Sequence, residues 1–253
     1  MKLTNRFSIY LMGAILASGT AYAGDDNSQQ DAKAIDVLKS MSAYNVSLDR
    51  VTITGVTLAD ARLSEGLLVS NSTEVKVSID RPGSLRISSF DGKEHKELFF
   101  HDGRLTVFNR ERGFYAQADI PKEIDAALQF ALEELEVEAP LMDLIHRDVS
   151  AHLLGSKEPI LYLTDQARIA GSDCHHLVIR GPETDVQLWV TEGDRPQPRK
   201  IMMTSKWEGG SPRFIANLKW DTDPDFGDDE FKFNPPEGAI DIGFTKSNTV
   251  GGE

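Results

Sequence analysis

Two long stretches, residues 48–118 and 159–233, consist of short β-branched and aromatic runs broken by turn residues, and this pattern most limits what the chain can fold into. Val51-Thr52-Ile53-Thr54, Val75 to Ile79 and Leu85-Arg86-Ile87 mark the first stretch. Ile160 to Leu163, Cys174 to Ile179, Val186 to Thr191, Lys200 to Ser205 and Phe214 to Trp220 mark the second. Such residues fit a pleated, half-buried surface, so both stretches predict strands. Between Leu98-Phe99-Phe100 and Leu105-Thr106-Val107-Phe108 lies Asp102-Gly103, which supplies the positive φ that a tight hairpin requires. Gly181-Pro182, Gly193-Asp194 and Gly209-Gly210 are further turns. Links this short leave no room for crossover helices, so neighbouring strands should run antiparallel.

The helices are few. Ala34, Ile35, Leu38 and Met41 trace one apolar stripe within Asp31–Tyr44. A second stripe, Ile124, Ala127, Leu128, Ala131, Leu132 and Leu135, follows Pro121, which suits the first turn of a helix. A third, shorter segment from Pro140 to His146 carries Leu141, Met142, Leu144 and Ile145. The expected class is α+β: a long antiparallel meander with two or three helices laid against it. No Pro/Ser-rich linker or fixed-period repeat divides the chain, so residues 24–253 read as a single domain.

Residues 1–23 read as an export signal, with Lys2 and Arg6 ahead of an apolar run from Phe7 to Leu16 and an Ala21-Tyr22-Ala23 cleavage site. The run is well short of the roughly 20 apolar residues of a membrane span. Mature protein should therefore start at Gly24 and reside in the periplasm without a transmembrane anchor. The whole chain has 27 Lys and Arg against 40 Asp and Glu, net −13. Removing Lys2 and Arg6 leaves 25 against 40, net −15. That balance excludes a nucleic-acid partner, whose phosphates demand a basic face, and attachment to anionic lipid by charge alone. A single cysteine, Cys174, cannot build a disulfide framework or a thiolate-rich zinc site.

Candidate chemistry is sparse. In Cys174-His175-His176, the first and third residues of a strand share a face and the middle one does not, so a metal site would need ligands from elsewhere. The plainer reading is a small buried Cys beside a hydrogen-bonded His. Asp221-Thr222-Asp223-Pro224-Asp225 opens like a calcium loop, but Phe226 stands at the turn position and Lys232 at the twelfth. The loop reads as an acidic turn. There is no glycine-rich phosphate loop, no G-x-S-x-G and no H-E-x-x-H. Glu133-Glu134, Glu136, Glu138 and Asp228-Asp229-Glu230 read as solvated faces. Neither an enzyme nor a bound cofactor or metal is expected.

What remains is apolar. The strands offer Phe99, Val107, Phe114, Trp189, Met202, Phe214 and Trp220, and the second helix offers Leu128 and Leu135. They are either ordinary core or the wall of a cavity between a curved sheet and its helical cover, large enough for an acyl chain. In the second case the helix from Pro121 to Leu135 is a movable lid.

Three stretches resemble one family. Leu98 to Phe108 with Phe114-Tyr115-Ala116 is similar to its "F/Y-Y-x-D-G-K-x-L-T-x-Y … Y-A" hairpin. Cys174-His175-His176-Leu177, Gln187 to Val190 and Gly193 to Lys200 resemble its "C-H-H-L … Q-I-W-I-D-x-G-D-x-P-x-P-R-K" block. Asp223-Pro224-Asp225-Phe226 and Phe231 to Ala239 resemble its ending "P-x-F … F-x-F-x-P-P-x-G-A". The family is a set of predicted exported bacterial proteins, domain of unknown function 2092. It resembles in turn the lipoprotein carriers LolA and LolB. That second resemblance implies an open, strongly curved half-barrel closed by helices, and a non-enzymatic periplasmic binder of a lipid or lipoprotein acyl chain. With no lipid-attachment Cys, the chain would be similar to the soluble carrier. An envelope interaction or sensor module that holds a protein partner on the same sheet surface is the alternative.

Overall fold

The computed structural model describes residues 32–154, 159–164, 166–207 and 209–244, so the leader expected at residues 1–23 lies outside the described residues. The N-terminal helix α1 (Ala32–Val46) buries Ala34, Leu38, Met41 and Asn45, positions three or four apart on one face. Six strands follow: β1 (Arg50–Arg62), β2 (Leu68–Asp80), β3 (Ser84–Phe90), β4 (His95–His101), β5 (Arg104–Asn109) and β6 (Phe114–Asp119). Each pairs antiparallel with the next. Asp102 (φ 45°) and Gly103 (φ 82°) both take the left-handed backbone of the expected β4–β5 hairpin turn.

The helical insert comprises α2 (Ile124–Leu135), α3 (Met142–Ile145) and α4 (Val149–Leu154). Two boundaries depart from the sequence expectation. Pro121 lies ahead of α2, because the cap falls at Glu123 and the Ile124 N–H donates to Pro82 O at 3.1 Å. The segment expected as one helix from Pro140 narrows to α3, and α4 follows because Asp148 accepts hydrogen bonds from the Ala151 N–H (3.0 Å) and the Ser42 hydroxyl (2.8 Å). Strands then resume as β7 (Ile160–Leu163), β8 (Ala167–Ile169), β9 (Ser172–Arg180), β10 (Thr184–Thr191), β11 (Pro198–Ser205) and β12 (Arg213–Asp221). A two-residue strand, β13 (Ile240–Asp241), closes the series and runs parallel to β6.

All thirteen strands join one open sheet in the order β13-β6-β5-β4-β3-β2-β1-β12-β11-β10-β9-β7, with β8 also on β9. The two halves meet where β12 returns to pair with β1. Gly55 of β1 is required there, since a Cβ would sit 2.2 Å from Asn217 O. A flat sheet twelve strands across would be about 50 Å wide at roughly 4.8 Å per strand. One contiguous core nevertheless spans it, from Leu105 of β5 through Ile53 of β1 to Leu161 of β7. Its inner face carries Val77, Ile87, Leu98, Leu188 and Ile201, and the helices lie against it. The observed class is the expected one, an open antiparallel sheet with helices on one face.

The outer face is not left to solvent throughout. Residues 222–239, expected in part as a strand at Phe231–Phe233, instead cross the outer side of β1 to β6 without joining the ladder. Phe233 seats its ring among Phe99, Phe108 and Tyr115 at centroid distances of 5.5, 5.2 and 5.1 Å. Glu230 accepts hydrogen bonds from Ser78 Oγ (2.7 Å) and Lys76 Nζ (3.1 Å). Beneath them Glu97 is buried between Arg86 (2.6 Å) and Arg110 (2.8 Å). Burial pushes the Glu97 carboxyl up, but the two guanidinium partners outweigh it and leave it below the usual carboxylate range.

Candidate functional site

A concavity lies at the first edge of the inner face. Val107 of β5 lies opposite Ala116 of β6, and Asn109 opposite Phe114. Beside them β13 returns: the Ile240 N–H donates to Gly113 O (2.8 Å) and the Ile242 N–H to Tyr115 O (2.9 Å), which places Ile240 beside Phe114 and continues the apolar face. From the helical side comes the end of α2. It stops because Glu136 takes the left-handed conformation (φ 53°) and the Val137 N–H folds back onto Ala131 O at 2.9 Å. Together β5, β6, the β13 return and the end of α2 enclose an open groove of about 640 Å³. Its apolar lining includes Val107, Phe114, Ala116, Leu135, Ile242 and Phe244.

Asn109, Arg112, Glu134 and Glu136 are the polar part of the lining. Arg112 is paired with Glu94: its Nε and Nη2 donate to Glu94 Oε1 at 2.9 and 2.5 Å, and its backbone N–H donates to Asn109 Oδ1 at 3.1 Å. The Arg112 hydrogen bond holds the Glu94 carboxyl below the usual range. The polar lining is thus a paired Arg112 with Asn109 and the carboxylates at the end of α2. Such a site can bury a chain and hold a polar head.

Of the nine residues read from the sequence as candidate wall, the structure brings Val107, Phe114 and Leu135 together here. Leu128 points into the core further along α2. Phe214 and Trp220 share the inner face but sit on β12, six strands from β6. The Trp220 indole N–H donates to Pro198 O at 2.8 Å. Phe99, Trp189 and Met202 fall on the outer face, because each is one residue out of step with an inner-facing neighbour (Phe100, Leu188 and Met203). The Phe99 ring lies under Arg86 at 4.8 Å. Trp189 stacks on His176 at 4.3 Å with Lys200 Nζ 4.5 Å above its ring. Sequence reading missed Ile242 and Phe244, although Ile240, Ile242 and Phe244 recur at period two and so carried a strand signal.

Cys174 is buried, its Sγ donating to Ser172 O at 3.5 Å, and burial pushes its thiol up. His176 Nδ1 meets Thr164 Oγ1 (2.6 Å) and Nε2 meets Gln187 Oε1 (3.0 Å), while His175 faces the other way toward Glu192. Among the described residues no group of three or more His, Cys, Asp or Glu is placed to hold a metal ion. Nor is any helix among them long and apolar enough to cross a membrane.

An open, largely antiparallel sheet with helices over one face and a groove at one edge of that face defines an α+β protein. The family described as "Predicted periplasmic protein (DUF2092)" matches residues 34–245, and the chain belongs to that family. No curated protein matches it in sequence. Among solved structures it is similar to an uncharacterized conserved protein from Thermus thermophilus, at 10% identity and TM-score 0.47 over 83% of this chain and 99% of that one. It is also similar to a structure of the Pseudomonas aeruginosa MucA/MucB complex (15%, TM-score 0.43, 80% and 62%). A LolA superfamily protein from Nitrosomonas europaea is a third (12%, TM-score 0.37, 79% and 97%).

Proposed function

We propose that the protein is a non-enzymatic periplasmic carrier that takes an acyl chain, of a lipid or lipoprotein, into the groove between β5, β6, β13 and the end of α2. The supporting observation is the groove itself: about 640 Å³, within the roughly 300 to 1,000 Å³ of small-molecule sites. Its floor is aliphatic and aromatic, and the one cation in its lining, Arg112, is paired with Glu94. The reaction is binding and release without covalent chemistry.

The discriminating substitution is Leu135→Asp. Leu128 belongs to the common core, so a charge there unfolds the chain whatever the groove does. Leu135 reaches both the core edge and the groove. Wild-type protein should capture a fluorescent fatty-acyl probe, and Leu135→Asp should weaken capture by about tenfold or more, the cost of setting a charge against an apolar chain. Failure of wild-type protein to take up probes of any chain length removes the carrier reading. The second reading, a protein partner held on the sheet, has its own observation. On the outer face Tyr162, Val178, Gln187, Met202, Ile215 and Leu58 line up as successive cross-strand pairs, Tyr162 exposed and the others half-buried.

A further inference from the structure

Most of the exposed large hydrophobic side chains gather at one end of the sheet. Because the strands alternate in direction, the β1–β2, β3–β4, β5–β6, β9–β10 and β11–β12 turns share that end. Leu63 and Leu67 stand on the first of these turns, Phe90 at the end of β3, Phe114 at the start of β6, Trp207 in the β11–β12 turn and Ile240 beside Phe114. Leu67 is 61% exposed and Trp207 60%. The β1–β2 and β11–β12 tips are neighbours, since Arg62 and Leu68 lie against the Gly209-Gly210 turn. The opposite end bears Arg81, Asp102, Lys122, Asp194 and Arg195 on its turns, and Val46 is the exposed large hydrophobic found there among the described residues.

We propose that this apolar end is a membrane-docking surface that seats the protein on a zwitterionic phospholipid bilayer. A protein interface concentrates its apolar contacts in a patch whose centre is poor in charge. Here the apolar tips stand on separate turns with Arg62, Glu65, Lys93 and Arg112 between them. A bilayer interface accepts that arrangement, because single Trp, Phe and Leu side chains enter the headgroup layer while the charges between them stay hydrated. The net charge of the mature chain, −15, opposes anionic lipid as the main attraction, so the lipid proposed is zwitterionic. Asn109, Arg112 and Phe114 of the groove lining lie at the same end. A docked molecule would present its groove to the lipid surface. The docking surface goes beyond the acyl-binding reading and stands on exposure and strand direction, so either can fail alone.

The test uses the mature chain and vesicles of phosphatidylcholine and phosphatidylethanolamine. Of its three tryptophans, Trp189 is buried and Trp220 half-buried, so Trp207 reports the contact. Its emission should shift to the blue on adding vesicles and be quenched by shallowly brominated lipid, and the protein should float with the vesicles. Leu67→Ser with Trp207→Ser should weaken flotation by about tenfold with an unchanged melting temperature, while Val46→Ser has no effect. Acyl-probe capture without vesicles, measured on the same variants, should not change. Absence of flotation, equal flotation by the double variant, or flotation only when anionic lipid is added would each overturn the proposal, whatever the acyl probe does.

Discussion

Phe233→Ala tests whether the C-terminal segment is a clasp that builds the groove. Truncating a fully buried Phe costs about 3–5 kcal/mol, and Phe233 is half-buried, which brings the burial part to about 2. Its three tilted ring contacts at 5.1–5.5 Å add a fraction of a kcal/mol each, for a total of about 2–3. The loss falls on the segment rather than the sheet, whose ladder from β1 to β6 does not use it. Hydrogen exchange is the assay. The Ile240 and Ile242 amides, held by Gly113 O and Tyr115 O, should exchange about 30- to 150-fold faster in the variant. Amides of β3 and β4 should keep their protection. Acyl-probe capture should fall with them, because Ile242 and Phe244 supply one wall of the groove. Unchanged exchange at Ile240 and Ile242, or equal loss of protection throughout the sheet, would refute the clasp.

Burial first, then the neighbouring His152 stacked at 4.0 Å, hold the His146 imidazole below its ordinary value of 6.5. The unfolded chain then binds the proton more readily, so the stability contributed by neutral His146 is complete above pH 6.5 and is lost as pH falls through the folded value. Urea melts at pH 7.5 and 5.5 should show a larger loss for wild type than for His146→Gln; equal losses would exclude His146 as the source. Cys174, buried and with its thiol pushed up, should react with a thiol reagent only after denaturation. Rapid labelling of native protein, or stoichiometric zinc lost in Cys174→Ser, would contradict an inert role.

The strand pattern, the Asp102-Gly103 hairpin and the stripes of α1 and α2 were legible in the sequence because each rests on a local rule of periodicity or turn chemistry. The choice of face was not. In Leu98-Phe99-Phe100 both neighbours of a period-two pair are large and apolar, and both are buried, one in the core and one under Phe233. Alternation carries no information where both faces are covered. The same holds at Leu188-Trp189-Val190, where the ladder also shifts register at a bulge between Trp189 and Val190. The cover that makes Phe99 buried comes from residues 134 positions away in sequence, and no local rule reaches that far.

The groove follows from the same non-local geometry. Helices α1, α3 and α4 are tied to one another and to the far edge, through Ser42 to Asp148 and Asn45 to His146 O, so the inner face near β7 and β9 is filled. Among the described helices α2 is the one whose end lines the groove with β5 and β6, and it ends at Glu136 while Phe114 stays partly exposed. A sheet this wide exceeds what its short helices can cover, and the deficit falls at the edge where the chain returns as β13. That return adds Ile242 and Phe244 to an apolar trough without closing it. Extending α2 by a turn would be the expected route to a filled core. The left-handed Glu136 is the residue that prevents it, because the helix cannot continue through a positive φ.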